Sequence, residues 1–148
     1  MISVFREDGL PLVHNVEWGT DFWRRARGLI GAASPGADYG LVLAPCRAIH
    51  TWLMRFPLDV IFFSCEGRIV RMATEVKPFR MAWGGWPAWG VLEMQSGWFP
   101  WTHLQAGDRL VFREQSRPSG RARSFRPAPL AAGVLQKYSF PCAANSIE

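Results

Sequence analysis

The feature that most constrains the fold is a series of short apolar segments, each followed by turn-forming residues. They lie at residues 2–5, 12–18, 40–44, 49–54, 58–63, 69–76, 91–94 and 109–112. Short segments rich in Val, Ile, Phe and Trp and bounded by Gly, Pro or Asp are typical of β-strands. Asp8-Gly9, between the first two segments, is a dipeptide of the hairpin type. The sequence therefore predicts a mainly β domain.

A second antiparallel hairpin is predicted from residues 58–63 and 69–76, which are separated by a short turn. The second of these segments alternates in character, so Arg71 and Glu75 are predicted to share one face of its strand. The other face is predicted to carry Val70, Met72, Thr74 and Val76.

Two short helices are predicted beside the strands. Thr20 offers an N-cap hydroxyl, and apolar residues follow it at helical spacing. These residues are Phe22, Ala26, Leu29 and Ile30. Gly31 is suited to end this helix in the left-handed conformation. Ser96 is the predicted cap of a second, shorter helical stretch that runs through Leu104.

Charge divides the chain into two parts. Residues 1–115 contain twelve Lys and Arg against eleven Asp and Glu, a net charge of +1, and residues 116–148 supply the remaining +4 of the total of +5. The second part is also interrupted by Pro, Ser and Gly and has no hydrophobic period. We therefore predict one folded domain over residues 1–115 and a basic, flexible tail over residues 116–148. Because the folded part is almost neutral, nucleic acid is not an expected partner.

Cysteine usage and hydropathy indicate where the protein resides. Cys46, Cys65 and Cys142 lie far apart and do not suggest a disulfide framework. The first residues carry charges where a signal peptide needs an apolar stretch. No apolar run approaches the roughly 18 residues of a membrane span. We expect a cytoplasmic protein with no membrane partner.

Several motifs, in order along the chain, resemble the bacterial and archaeal domain-of-unknown-function family 192. They are Arg25-Ala26-Arg27-Gly28-Leu29, Gly40-Leu41-Val42, Trp52-Leu53-Met54-Arg55 with Pro57-Leu58-Asp59-Val60-Ile61-Phe62, Gly67-Arg68-Ile69-Val70, Val91-Leu92-Glu93-Met94 and Gly107-Asp108-Arg109. The resemblance covers roughly residues 20–112. It implies a mainly β (α+β) fold, a curved antiparallel sheet or half-open barrel with one or two short flanking helices. It implies no reaction, because the family is uncharacterised.

Tryptophan is concentrated in one part of the chain. Five of the eight tryptophans lie there: Trp83, Trp86, Trp89, Trp98 and Trp101. The first three belong to a Gly-rich segment, residues 81–90, that is predicted to be a loop. Exposed rings in such a loop could stack on a ligand, and the glycines would let the backbone approach that ligand closely. Alternatively, the rings fill the mouth of the half-barrel or form a protein interface.

Arg55 and Asp59 place opposite charges four residues apart between apolar strands. Charges in such surroundings are costly unless paired, so the two side chains are expected to bridge to each other or to backbone donors. One interpretation is that Arg55 binds an anionic ligand. The other is that Asp59 fixes the bend of the chain by accepting backbone N–H bonds.

Cys46 and His50 are four residues apart, and Cys65 could lie on a neighbouring strand. Two thiolates and an imidazole could hold zinc, and a Cys-His pair could form a nucleophile with its base. The paired spacings of common zinc sites are missing, and cysteine is often a small buried hydrophobic residue. We therefore predict neither a metal nor another cofactor.

The preferred functional hypothesis is a non-catalytic module that binds a small ligand or a peptide in an aromatic-rimmed cleft. Its candidate binding residues are Trp83, Trp86, Trp89, Arg55, Asp59, His50 and Trp52. A second hypothesis is an enzyme that uses His50, Asp59 and a cysteine. A third is an interaction protein, such as a homodimer, whose Trp-rich loop forms the interface.

Overall fold

The computed structural model describes residues 2–19, 36–99 and 101–114, and it confirms a mainly β fold. The strands are β1 (Ile2–Arg6), β2 (Pro11–Gly19), β3 (Tyr39–Leu43), β4 (Ala48–His50), β5 (Leu58–Phe63), β6 (Ile69–Val76), β7 (Met81–Trp83), β8 (Gly90–Gln95) and β9 (Leu110–Glu114). Within these residues, helical structure is limited to a 3₁₀ turn over Trp101–His103.

Seven strands form one mixed sheet in the order β6-β5-β8-β3-β2-β1-β9. The pair β2–β3 is parallel, and the other pairs are antiparallel. The sheet curls until its two edge strands meet at one end, where the Leu110 N–H donates to the Gly67 carbonyl and the Ile69 N–H to the Asp108 carbonyl, both at 2.8 Å. It is not closed into a barrel. Strands β4 and β7 form a separate two-stranded ribbon.

Strand β5 is buried on both faces because apolar layers lie on either side of the sheet. Ile61 and Phe63 belong to an inner cluster that includes residues of both edge strands and therefore lies inside the curl. Val60 and Phe62 belong to an outer cluster, where Ile49 of the ribbon packs against the sheet. Burying side chains of this size stabilises the fold by roughly 2 kcal/mol each.

The ribbon is the part of the fold that differs most from the sequence predictions. The strand predicted over residues 49–54 ends at His50, because the chain turns and the Met54 N–H donates to the Thr51 carbonyl at 3.3 Å. The segment over residues 81–90, predicted to be a loop, begins with strand β7, which pairs with β4. Backbone pairing across 30 residues decided this, and Gly-rich local sequence does not report it.

The alternation predicted for residues 69–76 is wrong. The pairing of β5 with β6 has two register shifts, between Leu58 and Val60 and between Phe62 and Phe63. Such bulges move the residues that follow to the other face of the strand. Met72 consequently packs on the inner cluster and Val70 on the outer one, although they were predicted to share a face.

The predicted helices have different outcomes. The one that begins at Thr20 falls outside the described residues, as do the predicted boundary at residue 115 and the tail over residues 116–148. The one predicted from Ser96 to Leu104 is reduced to the 3₁₀ turn. The Ser96 hydroxyl does not cap a helix, because it donates to the Asp59 carboxylate at 2.8 Å.

Candidate functional site

The ribbon turns one side to the sheet and the other to solvent. Its central pair, Ile49 with Ala82, packs on the outer cluster. The flanking pairs, His50 with Met81 and Ala48 with Trp83, point the opposite way because side chains alternate along a strand. The outward side therefore carries Met81 and Trp83 exposed by 71% and 51%.

Side chains from the adjoining turns extend this outward side. The Trp52 ring lies 5.4 Å from that of His50, and the Trp86 ring lies edge-on to that of Trp83 at 6.3 Å. The Arg47 guanidinium lies over the Trp86 ring at 5.7 Å. We call this surface the aromatic face and define it by its six exposed apolar side chains: Trp52, Leu53, Phe79, Met81, Trp83 and Trp86.

Thr51 holds the two turns that carry Trp52, Leu53 and Phe79. Its buried hydroxyl donates to the Lys77 carbonyl at 2.6 Å and accepts from the Arg80 N–H at 2.9 Å. Its own N–H donates to the Arg80 carbonyl at 2.8 Å, and its carbonyl accepts from the Phe79 N–H at 3.0 Å. One residue thus fixes the loop after β6 against the turn after β4.

Leu53 and Phe79 are placed in solvent at an energetic cost. Both have left-handed backbone, with φ of 63° and 60°, which costs a residue with a bulky side chain roughly 1 kcal/mol or more. Both are also largely exposed, by 68% and 61%. Two costs at the same residues, with little burial in return, point to a surface shaped for contact rather than for folding.

The segment after β7 shows why the tryptophans there differ. Gly84 lies against the sheet, where a Cβ would come within 2.5 Å of the Phe62 ring. The glycine therefore allows close approach to the protein's own core and not, as predicted, to a ligand. Trp89 turns inward, with its ring 6.3 Å from that of Phe63. Trp86, between them, stays 76% exposed.

Asp59 and Arg55 do not form a pair. The Asp59 carboxylate is 1% exposed and accepts four hydrogen bonds, which fills its acceptor capacity. Its donors are the Glu75 N–H (2.9 Å), the Ser96 hydroxyl (2.8 Å), the Gly97 N–H (3.4 Å) and the Trp101 Nε1–H (2.8 Å). Two backbone donors match the structural interpretation of Asp59. Arg55 is exposed in the turn after Leu53.

The cysteines and His50 are not assembled into a reactive centre. The Cys46 thiol donates to the Ala48 carbonyl at 3.1 Å, while His50 points outward against Trp52. Cys65 is engaged in a disulfide, contrary to the expectation from cysteine spacing. In residues 2–19, 36–99 and 101–114, no group of three His, Cys, Asp or Glu is placed to hold a metal. A disulfide is uncommon in a reducing compartment, so the cytoplasmic location stays a prediction.

Two cavities among the described residues lie away from the aromatic face. One, of about 170 Å³, is lined by residues around Tyr39, Met94 and Trp98. The other, of about 290 Å³, is polar and is lined by residues around Arg6 and His103. Neither lining includes a predicted binding residue, and pockets for drug-sized ligands commonly exceed about 300 Å³. Neither of these two cavities is the predicted aromatic-rimmed cleft, which stays a prediction.

Comparison with known proteins identifies the family. The model of domain-of-unknown-function family 192 (DUF192), described as "Uncharacterized ACR", matches residues 4–112. The chain belongs to this family. The match confirms the resemblance seen in the motifs and extends it over the first hairpin of the DUF192 domain. No curated protein matches the chain.

Two solved structures share the fold of this DUF192 protein. One is a protein of unknown function from Novosphingobium aromaticivorans, at 20% identity and a TM-score of 0.63, covering 74% of this chain and 82% of its own. The other, from Sinorhizobium meliloti, is described as a "putative transcription regulator", at 21% identity and a TM-score of 0.64, covering 75% and 91%. At this identity the likeness concerns the fold alone.

One acidic residue of a DUF192 motif lies in unusual surroundings. Glu93 on β8 is 3% exposed, and its cross-strand neighbours are Leu41 and Val60. Burial raises the pKa of this carboxyl to about 8, because the charged form loses its hydration. Glu93 is thus protonated at neutral pH. No sequence feature beyond its place in a buried strand suggested this.

Three contributors to the aromatic face had no role in the sequence analysis: Leu53, Phe79 and Met81. A weak signal for the first two was available, since turn positions usually hold Gly, Asn, Asp or Ser, and large apolar residues there are uncommon. The predicted residues His50, Trp52, Trp83 and Trp86 do meet on this face. Trp89 packs instead against Phe63, and Asp59 accepts a hydrogen bond from Trp101. Arg55 is exposed in the turn after Leu53.

Proposed function

We propose that this DUF192 protein is a non-catalytic binding module and that the aromatic face holds its partner. The observation that carries the proposal is that six large apolar side chains, each more than half exposed, lie on the ribbon and on the turns that adjoin it. Contiguous apolar patches of this kind mark interaction sites on otherwise soluble surfaces. The face is also built firmly, through the hydrogen bonds of Thr51 and the ring contacts of Trp52 and Trp86.

The chemistry of the face defines what a partner must offer. Apolar groups would cover the rings, and anionic groups would satisfy the basic side chains beside them, such as Arg47 over Trp86. The enzyme hypothesis has less support, since the Cys46 thiol donates its hydrogen bond to a backbone carbonyl. The Asp59 carboxylate already accepts four hydrogen bonds. A general base needs its nucleophile within hydrogen-bond reach.

Anilinonaphthalene sulfonate (ANS) tests the proposal, because it joins an apolar ring system to a negative charge. We expect saturable ANS binding to the full chain, weakened by about tenfold when Trp83 and Trp86 are both replaced by Ser, which corresponds to about 1.4 kcal/mol. Trp98→Ser is the matched control, since Trp98 is 62% exposed but lines a different cavity. Equal ANS binding by all three proteins would refute the proposal.

The oligomeric state distinguishes the interaction-protein hypothesis from a module that binds a small ligand or a peptide. If the aromatic face is taken by a second copy of the chain, sedimentation should show a dimer at micromolar concentration that the Trp83→Ser, Trp86→Ser double variant does not form. A monomer leaves the face open to other partners. A dimer that persists in the double variant would place the self-association elsewhere.

A further inference from the structure

The apolar side chains of the aromatic face are a mixture suited to a bilayer. Three are tryptophans, which are enriched where a membrane meets water. The others, Leu53, Phe79 and Met81, prefer hydrocarbon to water, and Leu53 and Phe79 stand on turns. A lipid surface can receive protruding side chains of mixed shape, whereas a folded protein partner needs a surface of closely complementary shape.

The shape of the face agrees with a fluid partner. It consists of the outward side of a short ribbon and three adjoining turns. Peptides are usually held in a groove or added to the edge of a long strand. The two cavities described above contain none of the six side chains in their linings. The face therefore presents protruding apolar groups that lie outside both of these cavities.

The two segments that carry the face contain charged side chains of one sign. Residues 47–56 and 77–89, which carry the whole face, contain Arg47, Arg55, Lys77 and Arg80 and no Asp or Glu. All four basic side chains are exposed, and Lys77 and Arg80 flank Phe79. By contrast, residues 1–115 as a whole are almost neutral. Basic side chains beside apolar ones favour a surface that combines hydrocarbon with negative headgroups.

We infer that the partner of the aromatic face is an anionic lipid bilayer, to which the protein binds peripherally. This inference rests on the proposed function and names its partner. Leu53, Phe79 and the tryptophans enter the headgroup region, while Arg47, Lys77 and Arg80 contact anionic headgroups. Among the described residues, no helix is long and apolar enough to span a membrane. The earlier expectation of no membrane partner considered only spanning segments, so it did not address this mode of binding.

Single-stranded nucleic acid is the other polyanion that combines with basic and aromatic side chains. It is less favoured here, because Leu53 and Met81 offer no ring on which a base can stack. It becomes an outcome of the test and not a second proposal.

Co-sedimentation with lipid vesicles tests the inference. We expect the full chain to bind vesicles of about two parts phosphatidylcholine to one part phosphatidylserine, and to bind pure phosphatidylcholine much more weakly. Replacing Lys77 and Arg80 by Gln should weaken binding by about fivefold for each charge removed, and less at high salt. Trp98→Ser should bind like the unaltered protein. Binding that is independent of phosphatidylserine, or equal in all variants, would overturn the inference.

One double variant separates an effect on membrane binding from an effect on folding. Asn tolerates left-handed backbone better than Leu or Phe, so Leu53→Asn with Phe79→Asn should keep or raise the stability. The same change removes two apolar groups from the face and should weaken vesicle binding by about tenfold. Unchanged vesicle binding in a folded double variant would contradict the membrane inference.

Failure of this inference can be told from failure of the proposed function. If ANS binds through Trp83 and Trp86 but vesicles do not bind, the face is a binding surface and the lipid partner is wrong. If oligothymidylate binds through the face and vesicles do not, the partner is nucleic acid. If ANS binding does not depend on the face, the proposed function is refuted, whatever the vesicles show.

Discussion

Asp59 and the aromatic face depart from the usual distribution of side chains in opposite directions. Asp59 is a charged group inside the fold, and four donors surround it. Leu53 and Phe79 are apolar residues in left-handed backbone whose side chains are largely exposed. The hydrogen-bonding capacity of the buried Asp59 carboxylate is filled within the molecule, so the fold explains this residue. The exposed apolar side chains are not covered by the described part of the fold, and this difference supports the aromatic face as the proposed binding site.

The largest effect is expected where the buried carboxylate is altered. Asp59→Asn replaces one acceptor with a donor that faces other donors, so the free energy of unfolding should fall by about 4 kcal/mol. Urea denaturation measures this change. The matched control is Asp38→Asn, because Asp38 is exposed and bonds to His14, and it should cost less than about 1 kcal/mol. A small loss of unfolding free energy in Asp59→Asn would show that the four hydrogen bonds of Asp59 contribute little to stability.

Glu93 is a second buried acidic residue, and burial raises its pKa. Its pKa is about 8 in the folded protein and near 4.5 when unfolded, so the folded state holds a proton that the unfolded state releases in this range. Stability should therefore fall by about 1.4 kcal/mol per pH unit as the pH rises from about 4.5 to about 8. Glu93→Gln should abolish this slope in urea denaturation, whereas exposed Glu66→Gln should retain it. An equal slope in both variants would contradict the assignment.

Thr51 is a buried polar residue that positions part of the exposed aromatic face. Thr51→Val keeps the shape but leaves the Lys77 carbonyl and the Arg80 N–H without this hydroxyl, at a cost of about 2 kcal/mol. Thermal unfolding reports this loss, and ANS affinity should fall with it. Thr74→Val, on the exposed part of β6, is the control. Full ANS affinity in a destabilised Thr51→Val would show that the face does not depend on this residue.

The smallest effect is a gain. Leu53→Asn or Phe79→Asn should raise the free energy of unfolding by up to about 1 kcal/mol, because strain is relieved and no buried contact is lost. Urea denaturation of each single variant is the measurement. A loss of stability would mean that these side chains support the core, and the contrast with Asp59 would disappear.

Much of the fold could be predicted from local sequence. The strands over residues 58–63 and 69–76 match β5 and β6 in their bounds, since short apolar segments between turns carry a strong local signal. The face assignment within β6 failed, because two register shifts depend on the partner strand. Strand β7 was missed for a related reason. Its three residues become a strand only by pairing with β4.

The mainly β class, the family and the concentration of tryptophan near residue 83 follow from residue types and their order along the chain. Which tryptophans face solvent depends on the fold, because Trp83 points outward through the β4–β7 register while Trp89 packs on Phe63. Only the tertiary structure decided the role of Asp59, whose donors lie 16 to 42 residues away along the chain. Residue type is local information, whereas exposure and hydrogen-bond partners depend on contacts between distant segments.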